Sequence, residues 1–96
     1  MKINSLKQLK NGKAGDQLSL EFSDNRLLID LCGEFDQNIS KIESALSVDI
    51  IRKGNQLFVV GESKEEAARV LKGFYLRLEE KKGLDSFDIE TELHML

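Results

Sequence analysis

The strongest constraint in this sequence is a pair of β-rich runs, Val48 to Lys53 and Gln56 to Val60, set on either side of Gly54-Asn55. A two-residue Gly-Asn link tolerates positive φ and closes a tight antiparallel hairpin. Register follows from that turn: with Lys53 facing Gln56, Ile50 lies opposite Val59 and Ile51 opposite Phe58. Side chains alternate across a strand, so the two pairs fall on opposite faces of the sheet. One face joins a core. The other carries Ile51, Phe58 and Val60, with no helix of the sequence assigned to cover it, and these three form a candidate interaction surface.

The remaining elements are read from apolar spacing. Leu18, Leu20 and Phe22 alternate with polar residues and predict a strand over 18–22. Asp24 is placed to cap a short helix carrying Leu27, Leu28 and Leu31, which stops at Gly33. Residues 26–32 also fit a second strand turning back through Ser23-Asp24-Asn25, and the helix is the preferred reading. Asp36 is the expected cap of a second helix, where Ile39, Ile42 and Leu46 share one face. Ser63 and Glu66 have the spacing of a capping box ahead of a long helix. Ala67, Val70, Leu71, Phe74, Tyr75 and Leu78 form its apolar stripe, so the two aromatics read as core rather than as a base-stacking platform. Gly73 is costly inside a helix and is expected to permit close approach to a neighbour, and Gly83 is expected to stop the helix.

Ninety-six residues with 41% hydrophobic content suffice for one domain with one modest core. The order strand, helix, helix, strand, strand, helix predicts an α+β layer, a three-stranded sheet with helices packed on one face. Residues 1–17 lack a sustained apolar period and read as a flexible basic leader holding Lys2, Lys7, Lys10 and Lys13, ahead of a domain over 18–83. Residues 84–96 read as an acidic tail or the start of a linker, with Asp85, Asp88, Glu90 and Glu92 and neither Lys nor Arg. The net charge of −3 lacks the basic excess common in nucleic-acid binders, so any such role must be local. A single cysteine, Cys32, excludes an internal disulfide, and neither a signal-type apolar run nor a membrane-length one is present, so a cytoplasmic location without membrane contact is expected.

The segment from Leu31 to Ile42, with Leu31, Cys32, Gly33, Ile39 and Ile42 at matching positions, resembles the core of a KH domain, whose pattern is apolar-apolar-Gly-x-x-Gly-x-x-apolar-x-x-apolar. Only the first glycine is present here. A closer match is the N-terminal segment of PhoH-family proteins, carried by Asp24-Asn25-Arg26-Leu27-Leu28, Leu31-Cys32-Gly33-Glu34, Asn38-Ile39, Ile42-Glu43 and Lys53-Gly54-Asn55, over about Leu18 to Leu78. The resemblance implies a KH-like fold of type I order (β-α-α-β-β-α). It also implies an accessory role in RNA binding for a downstream P-loop ATPase domain, where ATP and Mg would bind. This chain has no Gly-x-x-x-x-Gly-Lys-Ser/Thr segment, so no cofactor is expected in it and it is not expected to be an enzyme on its own.

By analogy with KH domains, Gly33, Asn38, Lys41, Arg52 and Lys53 are the candidate nucleic-acid-binding residues, with single-stranded RNA as the partner. Charge opposes a phosphate cradle at Gly33 to Asn38. At an effective dielectric near 20 and about 6 Å, Glu34 and Asp36 would each oppose a phosphate by roughly 2 to 3 kcal/mol before screening. Asn38 in the first turn of a helix more often bonds neighbouring backbone. The alternative partner is protein, either the downstream ATPase domain or a second copy, through Ile51, Phe58 and Val60. Cys32 reads as a small buried hydrophobe, His94 lacks a catalytic or metal-binding partner, and the paired glutamates read as solvated helix surface.

Overall fold

The computed structural model describes residues 6–10 and 17–95. Its elements are β1 (Leu6–Lys10), β2 (Gln17–Phe22), α1 (Asn25–Cys32), a 3-10 turn (Glu34–Asp36), α2 (Gln37–Leu46), β3 (Asp49–Lys53), β4 (Gln56–Val60), α3 (Lys64–Glu79) and α4 (Ser86–His94). The three expected strands form an antiparallel sheet in the order β2-β4-β3, with β1 added beside β2 as a fourth, outer strand. The hairpin has the register that its turn dictates, with Lys53 opposite Gln56, Ile51 opposite Phe58 and Ile50 opposite Val59. From β2 through α3 the β-α-α-β-β-α order is the one expected, and residues 26–32 are helix, not a strand.

Alternation in the strands decides which face is buried. Leu18, Leu20 and Phe22 of β2 join Ile50, Leu57 and Val59 beneath the helices. The apolar stripes meet them: Leu28 and Leu31 from α1, Ile39 and Ile42 from α2, and Ala67, Val70, Leu71, Phe74, Tyr75 and Leu78 from α3 are all buried. Tyr75 packs edge-on against Phe22 with ring centroids 4.8 Å apart, a geometry that adds about 0.5 to 1.5 kcal/mol beyond the area it buries. Its hydroxyl accepts a hydrogen bond from the Asp24 N–H at 3.3 Å, fixing the start of α1 against α3. Asp24 caps that start as expected, with its carboxylate accepting from Arg26 N at 3.0 Å and Leu27 N at 3.3 Å.

Several local expectations differ from the structure. The leader is not featureless, since Leu6–Lys10 ladders onto β2 and Gln17 begins β2; residues 1–5 and 11–16 lie outside the described residues. The backbone ladder needs no apolar period, which is why composition did not reveal it. Ser63 occupies the N-cap position of α3, but with ψ at 24° its hydroxyl makes no capping bond, because that bond requires an extended cap residue. The reciprocal capping box instead forms at α4, between Asp85 and Asp88. Ser86–His94 is therefore a helix docked on the core, where an acidic tail or the start of a linker was expected, with Ile89 fully buried and Leu84 and Leu93 packed against the core.

The end of α3 is set before Gly83. Lys81 takes the left-handed conformation at φ 60°, and Lys82 N–H donates back to Arg77 O at 3.1 Å, which satisfies a carbonyl of the last turn. Gly73 does not mediate a close approach either: a Cβ built there meets nothing within 4 Å, because the position opens toward the cleft between α3 and α4. Gly73→Ala should therefore raise the unfolding free energy by about 0.5 to 1 kcal/mol in urea titration, since it removes the entropy cost of glycine in a helix without a clash. An unchanged or lowered midpoint would show that the site is tighter than its geometry.

Candidate nucleic-acid interface

The turn between α1 and α2 is built around Gly33. Its backbone lies at φ 82° and ψ 172°, a region nearly reserved for glycine, and a Cβ there would stand 2.7 Å from the Asn38 side-chain nitrogen. Asn38 is 4% exposed, and its amide donates to Leu31 O at 3.1 Å, satisfying one of the last carbonyls of α1. Asn38 is thus a buried lock between the two helices and does not offer its amide to a ligand. This is the backbone role that its place in a first helical turn favours.

Beyond Gly33 the chain makes one 3-10 turn. Phe35 and Asp36 both have left-handed backbone, at φ 55° and φ 57°. Asp36 does sit at the N-cap of α2, but its carboxylate makes no capping bond, because a left-handed cap residue does not aim its side chain at the N–H groups of the first turn. Glu34 and Asp36 are both exposed. Phe35 is 93% exposed, the most exposed large apolar residue described. Sequence reasoning passed over Phe35, although an aromatic outside any apolar period and bracketed by two acids was a signal available to it.

The three candidate cations are spread over separate surfaces. Arg52 lies on the β3 side that faces the helices, opposite Leu57, and its Nε donates to Gly54 O at 3.4 Å. It also reaches Cys32 at the end of α1. Burial pushes that thiol up, the Arg52 guanidinium opposes the shift through its charge and a hydrogen bond, and the Asp36 carboxylate adds to it. Arg52 and the Gly33–Asp36 turn therefore share one neighbourhood. Lys53 is exposed on the opposite face of β3, with Ile51. Lys41 is ion-paired to Glu90 of α4 at 2.8 Å, so the acidic C-terminal segment neutralises it.

The second candidate surface is assembled as the register requires. Ile51 pairs with Phe58, Val60 pairs with Asp49, and all three apolar residues share the sheet face turned away from the helices. Ile51 is 48% exposed, while Phe58 and Val60 are half-buried. At the edge of the sheet, the Ile50 N–H donates to Glu43 Oε2 at 2.8 Å, so a side chain of α2 closes part of the open edge of β3. Among the described residues no group of three His, Cys, Asp or Glu is disposed to hold a metal ion, and no helix is long and apolar enough to cross a membrane. Cys32 is buried, and His94 lies in the last turn of α4 beside a shallow hollow lined by Ser40, Lys41 and Ser44.

Fold and surface together define an antiparallel α+β domain with a glycine-pivoted turn between its first two helices. No protein-family model matches the chain, and no solved structure matches it.

The helix that neutralises Lys41 carries a hydrogen-bonded carboxyl in its first turn. The Asp85 N–H donates to Asp88 Oδ2 at 3.0 Å, and that bond, with the Arg77 guanidinium 3.3 Å away, holds the Asp88 carboxyl below the usual carboxylate range. A carboxyl whose folded pKa is lowered stabilises at pH values above its unfolded pKa, and the contribution is lost as pH falls through the folded pKa. Amide protection factors in α4 should therefore drop relative to those in α1 as pH is lowered below about 4, and Asp88→Asn should flatten that dependence. A ratio of protection factors that stays constant with pH would refute it.

Proposed function

We propose that this chain is the N-terminal KH-like accessory domain of a PhoH-like ATP-binding protein and contributes single-stranded RNA binding to a downstream P-loop ATPase domain. In this reading the chain catalyses nothing by itself, and ATP with Mg belongs to the downstream domain. The observation that carries the proposal is the neighbourhood of Gly33: a glycine-pivoted turn between two helices, in β-α-α-β-β-α order, with Arg52 of the adjoining hairpin beside it. Arg52 supplies a cation for the RNA backbone, and Gly33 sets the direction in which the turn leaves α1. Binding in isolation is weak on this reading, because Lys41 is paired to Glu90 and Lys53 lies on the other face of β3. The parent protein acts in the cytoplasm.

Arg52→Ala should weaken binding to single-stranded RNA several-fold and reduce the slope of log affinity against log salt by about 0.7, the loss of one phosphate contact on a single strand. Unchanged affinity and slope, with native helicity retained, would overturn the RNA reading.

A second reading is favoured by one observation, the sheet face turned away from the helices, on which Ile51 is 48% exposed. There the domain docks protein, either the ATPase domain or a second copy, and does not contact RNA. Phe58→Asp should then lower the sedimentation coefficient or abolish docking while preserving helicity, because a carboxylate is poorly tolerated at the centre of an apolar contact. Sedimentation identical to that of the native chain excludes self-association through this face.

A further inference from the structure

The Gly33–Asp36 turn is closed by backbone hydrogen bonds, and it displays an aromatic ring. Asn38 packs under Gly33, Asp36 N–H donates to Gly33 O at 3.0 Å, and the Gln37 N–H returns to Glu34 O, so the backbone is fixed on both sides of Phe35. At φ 55° and ψ 31°, Phe35 holds a conformation in which Cβ crowds the following carbonyl oxygen, yet its ring is 93% exposed and gains no core contact in return. A flat apolar face is thus held in water with the carboxylates of Glu34 and Asp36 on either side of it in the chain. These flanks repel phosphate and accept hydrogen bonds from N–H groups.

From this arrangement we infer that the turn binds a base and not a phosphate: Phe35 stacks on one unpaired, amino-bearing base of single-stranded RNA, guanine above all, while Glu34 or Asp36 accepts from its Watson–Crick edge. This rests on the RNA-binding reading given above. Guanine presents N1–H and N2–H2 side by side, a donor pair that one carboxylate can accept in a bidentate manner. Uracil offers a single N–H between two carbonyl oxygens, which a carboxylate repels. Arg52, next to the turn, is then left for the backbone of the same strand, so base and phosphate contacts divide between the turn and the hairpin.

The test compares binding of the full chain to an all-uridine oligonucleotide and to the same oligonucleotide with one central guanosine, by fluorescence anisotropy across a salt series. Phe35→Ala should weaken binding of the guanosine oligonucleotide by about 5- to 150-fold, the loss of one base–aromatic stack, with the salt slope unchanged. Phe35→Tyr should restore it. Glu34→Gln with Asp36→Asn should abolish the preference for guanosine over uridine whatever it does to overall affinity. Phe35 lies outside the core, and an unaltered unfolding midpoint verifies that each variant is folded.

If the native chain binds RNA and loses affinity with Arg52→Ala but not with Phe35→Ala, the base-binding turn is refuted and the RNA reading stands. If the native chain binds neither oligonucleotide, both fall together. A change in sedimentation on Phe35→Ala with RNA affinity unchanged refutes the turn as a base site in favour of protein docking.

Discussion

The hydrogen bond from the Asn38 side chain to the Leu31 carbonyl, made directly beneath Gly33, is the contact on which the helix layer depends. It ties the end of α1 to the start of α2 across a turn that only a residue without a Cβ can make. A buried polar side chain left without that partner would cost about 1 to 3 kcal/mol, a large share of the stability of a domain this size. With the pair in place, Leu31 and Cys32 face inward at the end of one helix and Ile39 and Ile42 at the start of the next. Both helices can then lie on the same face of the sheet. Tyr75 performs the corresponding task at the other end of α1, where its hydroxyl and ring hold Asp24 and Phe22 together.

This arrangement explains why the charges of the chain matter more by position than by sum. The net charge of −3 is spread so that two carboxylates crown the turn and one helix of acids, α4, lies against α2. Lys41, a cation by sequence, is thereby half of an ion pair. Surface pairs of this kind contribute at most about 1 kcal/mol to stability, so the consequence of the Lys41–Glu90 pair lies in the local field rather than in the fold. Arg52 stands near the turn, and its closeness to Cys32 connects the hairpin to the end of α1.

The legibility of the fold followed the strength of the local rules. Gly54-Asn55 fixed the hairpin to the residue, because a two-residue turn with positive φ admits one register. The buried positions of α3 followed from helical spacing alone, and Asp24 capped its helix as its chemistry demands. What failed depended on backbone geometry that residue type does not encode. Ser63 and Asp36 had capping identity but not capping dihedrals, and Gly73 had the identity of a contact glycine without a neighbour. The strand Leu6–Lys10 was missed because an edge strand is held by main-chain hydrogen bonds, which any non-proline sequence can make.

For the candidate site, the sequence placed Gly33 in the turn between two helices and Ile51, Phe58 and Val60 on one sheet face, since both follow from a turn and an alternation. It could not decide that Asn38 turns inward, that Lys41 meets Glu90 forty-nine residues away, or that Phe35 points into water. Periodicity and turn chemistry act over a few residues, so they settled the helices, the hairpin and the inward faces. The fate of each polar or aromatic side chain at the surface depends on which distant segment packs beside it, and that is a property only the folded chain possesses.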